Sequence, residues 1–227
     1  MIKFYYHPTP NPLKAALLLE ELQLAYELVP VDTLKGEQHS IDFLKINPNG
    51  KVPALDDAGV LVFDSHAILL HLADKHGQFD GTGAAPQARA RMLSWLMFVA
   101  TGLSPFSGQA AHFLHYAPEV MPYARDRYVN EVTRHYAVLD GHLAASRYLA
   151  GDNYSIADMA LWGWAMSAGY IFGDQGLHGF KHVQRLVDEI AARPAAQRAQ
   201  QIKQRASWKT AFDDQSRRAL FPPARTA

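Results

Sequence analysis

Residues 47–72, NPNGKVPALDDAGVLVFDSHAILLHL, carry the architecture in four consecutive pieces. Asn47-Pro48-Asn49-Gly50 is loop chemistry, with Pro fixing φ and Asn-Gly tolerating φ > 0. Val52-Pro53-Ala54-Leu55 is apolar enough for a strand, but Pro53 removes a ladder donor. It therefore marks either the first strand residue or a cis X-Pro bond in a tight bend. Asp56-Asp57-Ala58-Gly59 signals a hairpin turn, and residues 60–63 form the returning strand. Asp64-Ser65 then opens a helix whose apolar residues Ile68, Leu69, Leu72 and Ala73 repeat at helical spacing.

That last junction carries chemistry. Free backbone N–H groups at a helix start, backed by the helix dipole, favour an anionic ligand group. Asp64 can take a ligand ammonium while Ser65 and the backbone take a carboxylate. The plainer alternative is that Asp64 or Ser65 only caps the helix, and for an isolated Asp-Ser that is the commoner case.

Working outward, Ile2, Phe4 and Tyr6 alternate with Lys3 and Tyr5 as a short strand, which residues 7–12 break. A run of strong helix formers extends from Leu13 to near Leu24, with Asn11 suited to the N-cap and Pro12 to the first helical position. Residues 26–31 read as a second strand, so the opening is β-α-β with parallel pairing through a right-handed crossover. With a helical turn at 41–46, the order β-α-β-(α)-β-β-α is a thioredoxin-like α/β domain over residues 1–76, a small mixed sheet covered by helices. Residues 77–86, GQFDGTGAAP, read as a linker. Residues 87–206 are all helix in pattern, including one helix with Tyr128, Val132, Tyr136, Leu139 and Leu143 on a single stripe. Ser155 and Asp158 have the form of a capping box ahead of an apolar helix in which Trp162 and Trp164 read as core. Residues 207–227 read as an extended or partly ordered arm.

The 227 residues are 48% hydrophobic with zero formal net charge, which argues against disorder, nucleic-acid binding and a basic membrane surface. No apolar run reaches spanning length and the start lacks a signal-peptide pattern, so a cytoplasmic protein is expected. The eleven histidines show no paired metal spacing, and His66 and His71 read as a helix face; no metal is expected. The chain contains no cysteine. Any sulfur chemistry must therefore use sulfur brought by the ligands.

Over essentially its whole length the sequence resembles a glutathione transferase. The resemblance rests on NPNGKVPAL, DSHAILLHLA and YLAGDNYSIADMALWGW, in that order and spacing. More narrowly, FYYHPTPNPLKAALLLEEL, DTLKGEQ and HYAPEVMPYARDRYVNEVTRHYAVLDGHL resemble the bacterial nu class, whose best-described activity is glutathione-dependent disulfide reduction.

The resemblance implies glutathione as substrate or co-substrate and assigns roles to particular residues. Val52, before Pro53, would pair its backbone with the cysteinyl part of glutathione like an added strand. Asp64 and Ser65 would hold the γ-glutamyl end; Gln38 would contact the glycine end and Lys51 would add charge there. Arg134 matches a basic residue near the ligand, with a solvated helix arginine as the equal alternative. Thr9 and Asn11 would stabilise the thiolate in place of the Tyr, Ser or Cys of other classes. Tyr5 is the rival, since tyrosine-type transferases place a phenol near the end of this strand. The chain departs from the nu pattern at Pro12, where that class has Gly; at Asp64 instead of Glu; at Val99 instead of Gln; and in its short hairpin turn.

Disulfide reduction is the first function implied. Conjugation of electrophiles or reduction of peroxides is the second, with Phe106, His112, Phe113, Tyr116 and Tyr170 as candidate second-substrate contacts. A non-catalytic glutathione-binding module is the third. A homodimer is expected, with a small disulfide or electrophile as the other partner.

Overall fold

The computed structural model describes residues 1–82 and 87–222; residues 83–86 of the expected linker and 223–227 of the expected arm lie outside them. Four strands, β1 (Ile2–Tyr6), β2 (Tyr26–Pro30), β3 (Ala54–Asp57) and β4 (Val60–Phe63), form one sheet in the order β2-β1-β3-β4. β1 and β2 pair in parallel across helix α1 (Pro10–Glu21), while β1–β3 and β3–β4 are antiparallel. Helices α2 (Ile41–Ile46) and α3 (Ser65–His76) complete the thioredoxin-like unit.

Alternation in β1 divides the two faces of the sheet. Ile2, Phe4 and Tyr6 are buried with α1 and α3, and Tyr5 turns to the other face, edge-on to Phe43 of α2 at 5.7 Å. The turn between β3 and β4 is shorter than the four residues 56–59 that the sequence suggested. Ala58 (φ 52°) and Gly59 (φ 98°) alone make the turn, because two residues at positive φ match the twist of a tight hairpin. Val52-Pro53 is cis and precedes β3.

Helix α1 also starts earlier than expected. Thr9, extended at φ −131° and ψ 164°, occupies the N-cap, and Pro10 opens the helix. Asn11 therefore lies inside the first turn and is not the cap. A second proline at position 12 is tolerated because first-turn N–H groups have no intrahelical acceptor anyway.

The remainder is helical: α4 (Gln87–Phe98), α5 (Ser104–Ala111), α6 (Pro122–Leu143), α7 (Ile156–Ala165), α8 (Gly169–Phe172), α9 (Lys181–Ala191) and α10 (Pro194–Gln201). A π-helical stretch, Val99–Leu103, joins α4 to α5. The stripe residues Val132, Tyr136, Leu139 and Leu143 of α6 are all buried. Helix α7, buried along its length except at the half-buried Trp164, opens on the Ser155–Asp158 capping box, in which Asp158 accepts from Ser155 N at 2.9 Å and also from Leu149 N at 2.8 Å. Residues 207–222 of the expected arm are partly ordered against the rest of the molecule. Trp208 packs edge-on to Tyr6 and His7, and Asp213 caps a last helix, α11 (Asp214–Leu220), by accepting from Ser216 N at 2.9 Å. Among the described residues no helix is long and apolar enough to cross a membrane.

Candidate active site

Sheet register brings the functional segments together. Tyr5 pairs with Ala54, and Ala54 with Phe63. The exit of β1 (Thr9, Asn11), the entry to β3 (Val52, Pro53) and the exit of β4 (Asp64, Ser65) therefore lie at one end of the sheet. This is the end where a crossover fold leaves room for a ligand.

At that end α1 presents donors that the chain does not use. Among the described residues Thr9 makes no side-chain cap bond, and Asn11 Nδ2 and the Asn11 backbone N–H find no acceptor. Pro10 and Pro12 have no N–H, so Asn11 supplies the first-turn donor. Asn11 Oδ1 is occupied, accepting from the Trp164 indole N–H at 3.0 Å. These residues wall a cavity of about 400 Å³ with Pro8, Ala111, Tyr116, Tyr170 and Ile171, a size suited to a small organic ligand. Of the second-substrate candidates, Tyr116 and Tyr170 line this cavity with their hydroxyls joined at 2.7 Å. Phe106 and Phe113 do not; they pack against Tyr128, and His112 lies against Phe221.

At the neighbouring strand exit, Asp64 both caps and remains available. Its Oδ1 accepts from His66 N at 2.8 Å and Ala67 N at 3.3 Å, while Oδ2 has no partner among the described residues. The His66 side chain and these N–H groups hold the carboxyl down to about 2, so it is anionic at neutral pH. Asp64 adopts φ 74° and ψ 132°, a strained conformation for a non-glycine residue of the kind that concentrates at functional sites. Ser65 is buried beside His66, its hydroxyl 3.4 Å from Nδ1. At this junction Asp64 Oδ2 and the Ser65 backbone N–H are the groups left without a partner among the described residues, one suited to a cation and the other to an anion.

The loop before β3 is pinned by Asn47, which accepts from Asn49 N and donates to Lys51 O. Gly50, at φ 62°, sits where a Cβ would come within 3.3 Å of Gln38 O, so the loop closes on Gln38. Val52 N–H and C=O have no partner among the described residues. Gln38 is buried, and its Nε2 donates to Ala219 O of α11 at 3.1 Å while Oε1 stays unpaired. The C-terminal helix therefore occupies the donor expected to meet the glycine end. Lys51 is exposed on the same loop. Arg134 stands apart: it is exposed, pairs with Glu131 at 2.9 Å, and does not line the cavity. Tyr5, on the α2 face of the sheet, is likewise away from Thr9. Val99, where a polar contact was expected to be lost, is wholly buried in the core.

Two features escaped the sequence reading. Lys14 is wholly buried, donating to Ser104 Oγ at 2.9 Å and lying 3.2 Å from His66 Nε2. His66, read as one residue of a helix face, thus lies between Asp64 and Lys14 and ties α3 to α1, and Lys14 in turn reaches Ser104 of α5. Trp164, read as core, holds Asn11. A signal for both was Gly163 between two tryptophans inside a helix: a Cβ there would meet Lys14 Cγ at 2.5 Å and Pro10 O at 2.7 Å. Such a glycine marks close approach by another backbone.

Fold and site define a glutathione S-transferase. Residues 1–74 match the family's N-terminal domain and residues 105–194 its C-terminal domain. The chain belongs to this family. Over 171 residues it is 46% identical to the disulfide-bond oxidoreductase YfcG of Escherichia coli, covering 72% of this chain and 79% of that protein. It superposes with TM-score 0.83 and 34% identity on a glutathione transferase from Phanerochaete chrysosporium solved with oxidised glutathione, covering 91% of this chain and 97% of that one. A Burkholderia graminis glutathione transferase with two glutathione molecules per subunit gives TM-score 0.82 and 34% identity over 90% of this chain and 89% of that one.

Proposed function

We propose that this protein is a glutathione-dependent disulfide reductase. One observation carries the reading: a chain without cysteine aims the unused donors of Thr9 and Asn11 at a cavity. Donors at a helix N-terminus lower the pKa of a nearby thiol, and the sulfur they serve must enter as substrate. Asp64 and Ser65 hold the γ-glutamyl end, Val52 pairs with the cysteinyl backbone, and Gln38 and Lys51 face the glycine end once α11 yields the Gln38 amide. Pro53 fixes the Val52 bend.

In the reaction the substrate S–S bond is broken by one thiolate, which forms a mixed disulfide and releases the first substrate thiol. A second glutathione thiolate breaks the mixed disulfide. The balance is RSSR + 2 GSH → 2 RSH + GSSG, with no oxidant or reductant beyond glutathione. The 46%-identical YfcG, by name a disulfide-bond oxidoreductase, supports this order of preference over conjugation.

The test is a coupled assay with a small disulfide, run at several glutathione concentrations. Turnover well above that of free glutathione is expected. A rate no higher than free glutathione, alongside rapid turnover of an aryl halide, would establish the conjugating alternative, which the apolar wall of Trp164 and Ile171 favours. Neither activity, with no glutathione binding at millimolar concentration, would leave a non-catalytic module. We further propose a cytoplasmic homodimer. Support for the dimer is the exposed apolar edge strand β4, where Val60, Leu61 and Phe63 are 54%, 45% and 44% accessible.

A further inference from the structure

We propose that Trp164 is a positioning residue for sulfur activation: its indole N–H, by holding Asn11 Oδ1, keeps the Asn11 NH2 group presented to the reacting sulfur. This deepens the function proposed above and rests on the role given there to Asn11. An asparagine side chain offers an acceptor at one end and donors at the other. A thiolate needs the donors. In an exposed turn the amide would turn between its two orientations freely.

Trp164 removes that choice, because an indole nitrogen only donates. Its partner at 3.0 Å must be the carbonyl oxygen, since turning the amide over would set two N–H groups against each other. Nδ2 then points away from the indole, without a partner among the described residues, on the wall that Asn11 and Trp164 share. The two residues are 153 positions apart, one in α1 and one in α7, so the helical half of the molecule sets the chemistry of the sheet half.

The surroundings make this a built arrangement. Trp162, two residues earlier, is wholly buried with its own indole N–H unpaired, so a tryptophan in this helix does not find an acceptor by default. Gly163 permits the approach of Pro10 and Lys14 that brings Asn11 within reach. The Ser155–Asp158 cap fixes the start of α7 two turns before Trp164.

The variant that isolates the bond is Trp164→Phe, which keeps an aromatic ring and removes the N–H. The apparent pKa of glutathione bound at saturation is read from its thiolate absorbance against pH, together with kcat and KM for a small disulfide. Trp164→Phe is expected to raise that pKa by about one pH unit, approaching a tenfold loss of thiolate at pH values below it, with KM for glutathione changed less than about twofold. Asn11→Ala is expected to raise it at least as far, and the double variant no further than Asn11→Ala alone, because both remove one shared interaction. An unchanged pKa in Trp164→Phe beside a raised one in Asn11→Ala overturns the positioning role and leaves the proposed function intact. An unchanged pKa in both overturns the role of Asn11 itself. Should Trp164→Phe fail to fold, the Trp164 indole N–H resonance is followed in otherwise native protein. It is expected to move upfield when Asn11 is replaced by alanine, and a resonance that stays in place refutes the bond.

Discussion

Asn11→Ala is expected to lower kcat for glutathione-dependent disulfide reduction about 10²-fold, the loss typical when one preorganised donor to a developing or resident anion is removed. The size follows from what remains. Pro10 and Pro12 contribute no N–H, so the start of α1 offers a sulfur only the Asn11 backbone N–H and the side chains of Thr9 and Asn11. Taking away the amide leaves Thr9 Oγ1 and one backbone donor. In the proposed site glutathione is anchored elsewhere, at Val52, Asp64 and Ser65, so its KM is expected to change little. Steady-state kinetics separate the two cases. A drop in kcat with KM retained is the signature of a group acting on the sulfur, whereas a rise in KM at constant kcat would show that Asn11 only binds. Thr9→Ala is expected to act in the same direction.

Lys14 gives the second large effect, on stability. Burial pushes its ammonium down from 10.5 to about 7, and the more distant charge of Asp64 only partly opposes this. The groups around it are His66, itself pushed down by burial, and the neutral Ser104 hydroxyl. Between pH 7 and 10.5 the unfolded chain keeps a proton on Lys14 that the folded chain has shed. Unfolding therefore takes up a proton across this window, and stability rises with pH; below pH 7 both states are protonated and the penalty is constant. Relative to Lys14→Met, the native protein should gain on the order of 3 kcal/mol between pH 7 and 9.5. Denaturant melts of the two proteins across that range check it. Parallel pH profiles would show that Lys14 keeps its proton inside the fold.

The sheet half of the molecule was legible because its signals are local. Alternation in β1, the Ala58-Gly59 turn and the Asp64-Ser65 helix start each declare themselves within a few residues. The Val52-Pro53 bend was left as two alternatives, and it is the cis one. What stayed hidden was long-range. Nothing near Asn11 in sequence shows that Trp164 takes its oxygen, and nothing near Lys14 shows that Ser104 and His66 receive its amine. Asn11 was read as a cap from its residue type; the actual cap, Thr9, follows from Pro10 taking the first helical position. Arg134 was left open between a ligand contact and a solvated helix arginine, and in the structure it pairs with Glu131 at the surface. Within the expected arm, Trp208 finds Tyr6 and His7, partners that composition cannot reveal.

Crystals of the protein soaked in reduced glutathione test the central claim most directly. The sulfur is predicted within hydrogen-bonding distance of Thr9 Oγ1 and Asn11 Nδ2, with the γ-glutamyl ammonium on Asp64 and its carboxylate at the start of α3. A cleft left empty beside Val52 and Ser65, or a sulfur lodged away from the start of α1, would contradict it.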